Sequence, residues 1–189
     1  MLLQANGLAI EVDDQGPPNG PPIVLIMGLG MQLIAWPEAL VQRLVARGFR
    51  VIRLDNRDIG LSQSFESSGT PNLVWATLRW LLHLPVQAPY SLADMARDTV
   101  GVLDALGLAR AHICGASMGG MIAQHIAVIA PERVSRLTLI MTTSGARSLP
   151  QPSAKVRGAL IERPSAGPHD VNVEVERLAR MLSIIGSPA

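Results

Sequence analysis

A single cysteine, two phenylalanines, one tyrosine and three tryptophans are all that 189 residues hold of thiol and aromatic chemistry, and neither charge is in surplus. Each scarcity excludes something. With Cys114 alone no disulfide can form within the chain, and beside Ile113 a buried thiol is expected rather than a redox centre or metal ligand. No His, Cys, Asp and Glu cluster has ligand spacing, and His169-Asp170 reads as ordinary surface chemistry, so neither a metal nor another cofactor is expected. The 16 basic and 15 acidic residues are interspersed and leave a net charge of +1, which gives no electrostatic footprint for nucleic acid or an anionic membrane. Long apolar runs are missing as well. Asn72 to Leu84 is the most apolar stretch, yet it is too short to span a bilayer and is interrupted by Arg79 and His83. Met1 to Asp14 lacks the basic start and apolar centre of a secretory signal, and cytoplasmic residence is the expectation that follows. Internal repeats and low-complexity tracts are absent too.

What is present suits one domain with a substantial core, since 48% of the residues are hydrophobic and 16% charged. Leu8 to Val12 predicts an edge strand, and Asp13 to Pro22, rich in Gly, Pro and Asn, a turn. Ile23 to Met27, apolar and largely β-branched, predicts a strand buried on both faces. After Gly28-Leu29-Gly30 a helix opens with Pro37 as its first residue, carries Leu40, Val41, Leu44 and Val45 as its stripe, and closes at Gly48. Arg50 to Leu54 is the next strand. The polar loop Asp55 to Ser62 lies at its C-terminal end and reads as a turn in which Asp55, Arg57 and Asp58 pair locally and buttress their neighbours. Asn72 to Leu84, with Trp75 and Trp80, fits a roof over an apolar pocket as well as it fits a core helix or dimer contact. Ser91 and Asp94 start a helix that runs to Gly107, and Arg136 to Met141 predicts a further buried strand. Beyond it, Ser153 to Pro168 is polar and proline-punctuated, while Val171 to Ile185 has a helical pattern. The alternation predicts an α/β fold with a mainly parallel, doubly wound sheet.

The chain is organised around Ile113 to Gly120, where an apolar strand (Ala111 to Cys114) meets Gly115-Ala116-Ser117-Met118-Gly119 and a long apolar helix follows. A bare Gly-x-Ser-x-Gly occurs often by chance, but strand before and helix after are the context of a nucleophile elbow. Gly115 and Gly119 leave room for a strained turn that lifts Ser117 out of the sheet. The helix start adds partial positive charge and free N–H groups, which favour the oxyanion formed when a serine attacks a carbonyl.

The strand, glycine loop, tryptophan-bearing helix start, Asp-x-Arg-x-x-Gly-x-Ser loop and elbow together resemble the α/β-hydrolase family, bacterial esterases and methylesterase-like members in particular, over about Leu8 to Ser144. The resemblance implies Ser117 as nucleophile, the backbone N–H groups of Leu29 and Met118 as oxyanion hole, and an acyl-serine intermediate on a small apolar carboxylic ester. Where the family usually has His-Gly, Met27-Gly28 stands, which removes a side chain but no backbone donor. The family places its catalytic acid after a later strand and its histidine after the last, and this sequence ends before both. Residues 1–144 therefore resemble the N-terminal part of the hydrolase core and 145–189 the start of the helical cap, as in a truncated form. Arg136 to Met141 would then be an unpaired apolar edge, favouring a homo-oligomer or a complementing chain.

A serine needs a base within hydrogen-bond reach. His125 lies eight residues along the elbow helix, roughly 12 Å from Ser117, and His112 five residues back along the strand, about 16 Å away. His83 and His169 would have to approach through tertiary folding. The missing base motivates an alternative reading, a non-catalytic remnant or assembly module. A third is dinucleotide binding, because Gly28-Leu29-Gly30 follows a strand and Asp55 ends the next; Leu33 in place of the third glycine and the late helix start argue against it.

Overall fold

The structure is a computed structural model that describes residues 1–65, 75, 78–79, 82, 84–85, 88–146, 148–150, 152–161 and 171–185. It divides into two compact units, Met1–Ser144 and Gly145–Ala189. The first is built on six strands: β1 (Leu2–Ala5), β2 (Leu8–Gln15), β3 (Pro22–Ile26), β4 (Arg50–Leu54), β5 (Ala111–Ala116) and β6 (Val134–Ile140). Among the described residues they are accompanied by the α-helices α1 (Glu38–Val45), α2 (Leu92–Ala105) and α3 (Met118–Ile129). The sheet order is β1-β2-β4-β3-β5-β6. β4, β3, β5 and β6 run parallel, while β2 pairs antiparallel with β4 and β1 with β2.

β3 alternates Val24 and Ile26 into one buried cluster and Leu25 into another, so both faces of the sheet are covered, as its β-branched run implied. Cys114 belongs to the second cluster, and burial pushes its thiol up from the ordinary value. Local rules also describe α2. Ser91 Oγ accepts from the Asp94 N–H while the Asp94 carboxylate accepts from the Ser91 N–H, a complete capping box.

Four boundaries differ from the sequence reading. β2 is an inner strand that extends through the expected turn to Gln15, because Asp14 and Asp13 form ion pairs with Arg50 and Arg53 of β4, both at 2.6 Å. Asp13 lies directly opposite Arg53 in the register, which makes a charged pair part of the ladder. Pro37 is the N-cap of α1 rather than its first residue, and the stripe is narrower than expected, with Val41 buried and Leu40 exposed. β6 starts at Val134 and is exposed from Arg136 to Ile140, not buried, since among the described residues it has a strand neighbour on one side only. In the second unit α4 (Ala154–Ile161) occupies part of the stretch read as irregular, and α5 (Val171–Ile185) follows the helical pattern of its sequence.

Most of Asn72 to Leu84, including His83, lies outside the described residues, as does His169. Among the described residues no helix is long and apolar enough to cross a membrane, and no group of His, Cys, Asp and Glu could hold a metal ion.

Candidate active site

β3 sits in the sheet between β4 and β5, so the chain leaves it towards β4 and later returns on its other side as β5. The loops after β3 and β5 therefore open a crevice at the C-terminal ends of the strands, where open α/β sheets bind their ligands. The register places Ile26, the end of β3, beside Gly115. Both loops meet there.

Ser117 follows β5 directly and takes φ +54° and ψ −121°. A non-glycine residue in that region carries strain on the order of 1–3 kcal/mol, held only because the surroundings determine it. Here the Ser117 N–H donates to the Ile140 carbonyl at 3.0 Å, and the Ser117 carbonyl accepts from Thr142 Oγ1 at 2.6 Å and from the Gly120 N–H at 2.9 Å. Its side chain makes no capping bond to α3. The flanking glycines are required by close approach, because a methyl at Gly115 would lie 2.2 Å from the Gly119 carbonyl oxygen, and one at Gly119 would lie 2.1 Å from that of Ile26. Opposite, a methyl at Gly28 would sit 3.1 Å from Ser117 Cβ and 3.5 Å from its Oγ, so the glycine loop abuts the serine through its backbone. Leu29 is the next residue, and among the described residues neither its N–H nor that of Met118 has an acceptor.

The polar loop after β4 differs from its reading as a turn paired within itself. Asp55 pairs within the loop and also outside it, while Arg57 and Asp58 find their side-chain partners in other parts of the fold and not in each other. Asp55 accepts from the backbone N–H groups of Leu33 and Leu61. Arg57 makes two bonds to Asp98 of α2, at 2.6 and 2.7 Å, and its guanidinium lies 5.4 Å from the Phe65 ring centre and 5.0 Å from that of Tyr90. Burial opposes its charge, but the hydrogen bonds and negative charge of Asp98 outweigh burial and hold Arg57 above its ordinary value. Asp58 accepts from the Tyr90 hydroxyl and the Phe65 N–H. Asn56, which sequence reading passed over, is buried and donates from Nδ2 to the Met27 carbonyl at 3.1 Å. Its only signal in the sequence is a polar residue two positions after a buried strand.

This strand, elbow and helix arrangement is matched by a family model described as the alpha/beta hydrolase fold, over residues 21–165. The chain belongs to that family. It is 33% identical over 174 residues to a rhodomycin D methylesterase of a Streptomyces species, covering 92% of this chain and 51% of that protein. A 2-hydroxy-6-oxononadienedioate/2-hydroxy-6-oxononatrienedioate hydrolase of Burkholderia vietnamiensis is 30% identical over 184 residues, with 94% and 53% covered. Among solved structures, an enol-lactonase of Burkholderia xenovorans superposes with a TM-score of 0.60 at 29% identity, over 76% of this chain and 47% of that one. A meta-cleavage product hydrolase of Pseudomonas fluorescens shares the fold over 97% of this chain and 55% of its own, with a TM-score of 0.70 at 22% identity. The chain spans about half the length of the curated relatives it matches.

Among the described residues, neither histidine of the first unit is shown bonded to Ser117. His112 packs edge-on against Phe49, with ring centres 5.8 Å apart, and His125 lies about two turns along α3 from Ser117. For dinucleotide binding the geometry is unfavourable, since α1 begins only at Glu38, eight residues beyond Gly30.

Proposed function

We propose that this chain carries the nucleophile and oxyanion hole of a serine hydrolase that cleaves a carboxylic ester through an acyl-serine intermediate. The observation that carries the reading is the backbone of Ser117, strained at the junction of β5 and α3 with its hydroxyl uncapped. Ser117 Oγ attacks the ester carbonyl, and the resulting oxyanion accepts from the Leu29 and Met118 N–H groups. A base takes the Ser117 proton during the attack and gives it to the alcohol that collapse expels; water, deprotonated by the same base, then cleaves the acyl-serine, releasing the acid and returning a proton to Ser117 Oγ. The methylesterase and lactonase among the similar proteins support an ester-type substrate. The boundary between Ser144 and Gly145 supports dividing the chain into the N-terminal part of the hydrolase core and the start of a cap. The base of the triad comes from outside this chain or from His83 or His169, because His112 and His125 stand roughly 16 and 12 Å from Ser117 by strand and helix rise, and the acid that orients it comes from outside this chain.

A phosphonate probe tests the reading. Covalent labelling of the folded protein, abolished by Ser117→Ala, is the expected result. A folded chain that does not label instead supports the second reading, a non-catalytic remnant, which the distant histidines favour.

A further inference from the structure

Two consecutive residues at the end of β4 grip both ends of the loop that carries Leu29. Asn56 Nδ2 donates to the Met27 carbonyl at 3.1 Å, at the loop's start. Asp55 Oδ1 accepts from the Leu33 N–H at 2.6 Å, at its end. Both side chains are buried, 3% exposed in each case, whereas Leu29 between the two anchor points is exposed. Asp55 is itself fixed from its other side. Its Oδ2 accepts from the Leu61 N–H at 3.1 Å, and Gly60 leaves the room this requires, since a methyl there would lie 2.0 Å from Oδ2.

From this geometry we infer that Asp55 and Asn56 are positioning residues for the oxyanion hole. The inference rests on the reading of Ser117 and Leu29 given above. A loop of seven residues rich in glycine has many backbone conformations, and only some of them aim the Leu29 N–H at an oxygen bound to the Ser117 adduct. Bonds at both ends restrict that ensemble before substrate arrives. Preorganisation of this kind acts on the step in which negative charge develops and leaves ground-state binding alone. The strands cannot do this by themselves, because β3 ends at Ile26, one residue before the first anchor. The donor and acceptor types also match their tasks: an amide N–H₂ meets a carbonyl oxygen, and a carboxylate meets two N–H groups.

The test is the inactivation kinetics of Ser117 by a p-nitrophenyl alkylphosphonate, with the first-order rate at saturation separated from the concentration for half-saturation. Asn56→Ala and Asp55→Asn are expected to lower the saturating rate about tenfold or more while changing the half-saturating concentration less than about twofold. Asp58→Asn, in the same loop but bonded to Tyr90 and Phe65, is the control and is expected to keep both values. A purely structural role would lower the melting temperature or the labelled fraction without that split. Should Asp55→Asn not fold, Asn56→Ala carries the test alone. Folded variants that label at the wild-type rate overturn the inference. If wild-type protein does not label at all, the reading of Ser117 fails, and amide hydrogen exchange then decides the clamp. Exchange at Leu29 to Met31 at least about tenfold faster in Asn56→Ala, with β5 unchanged, supports it; unchanged exchange overturns it.

Discussion

Tyr90 shows how single side chains set the pH range over which the site's supporting loop is held. Burial and then the hydrogen bond to Asp58 push its phenol up to about 12, against the partial opposition of the Arg57 charge. The unfolded chain releases this proton near 10, so between roughly pH 10 and 12 it binds fewer protons than the folded one, and stability falls as pH rises. The contribution is complete below about 10 and gone above about 12. Tyr90→Phe removes the group, keeps a ring beside Arg57, and is expected to flatten that part of the stability profile relative to wild type. Urea titrations at intervals across this range would measure it, and parallel profiles for the two proteins would contradict the assignment. Arg57 itself stays charged throughout, held by Asp98.

At the scale of elements, what could be read in the sequence followed contact distance along the chain. The capping box of α2 is written within four residues, and the elbow within a strand, a five-residue motif and a helix, so both were legible. β2 was cut short because Asp13 and Asp14 look like turn residues until Arg53 and Arg50, about forty positions on, are seen opposite them. The polar loop was misread for the same reason. Arg57 finds Asp98 and Asp58 finds Tyr90 at separations of 41 and 32 residues, which no local pattern announces. Asn56 has no motif at all, and only the end of β3 beside it reveals its use. The edge was legible as well: β6, which among the described residues pairs only with β5, exposes Leu137, Leu139 and Ile140, each by about two-fifths. Such an edge promotes pairing with another chain, and a lysine on it opposes this. Sedimentation equilibrium is expected to show apparent mass rising with concentration for wild type and less so for Thr138→Lys. Indistinguishable masses would remove edge pairing as the mode of association.

For the whole molecule the proposed function turns on Ser117 and the base that a serine nucleophile requires. The chain spans about half the length of its curated relatives, and the described histidines, His112 and His125, stand roughly 16 and 12 Å from Ser117 by strand and helix rise. A triad enzyme without its base but with oxyanion donors retains a rate on the order of a thousandfold over water, far below the complete enzyme. Hydrolysis of p-nitrophenyl acetate by these 189 residues is therefore expected to be barely detectable, and a longer form supplying the rest of the relatives' length is expected to restore it. The opposite result has a definite meaning. Turnover on the order of 1–10 per second, within the usual enzyme range and lost in Ser117→Ala, requires a base among the chain's own residues. With His112 and His125 too far away, that leaves His83 and His169. His83→Ala and His169→Ala then separate them, because only loss of the true base abolishes turnover while leaving the strained backbone of Ser117 in place.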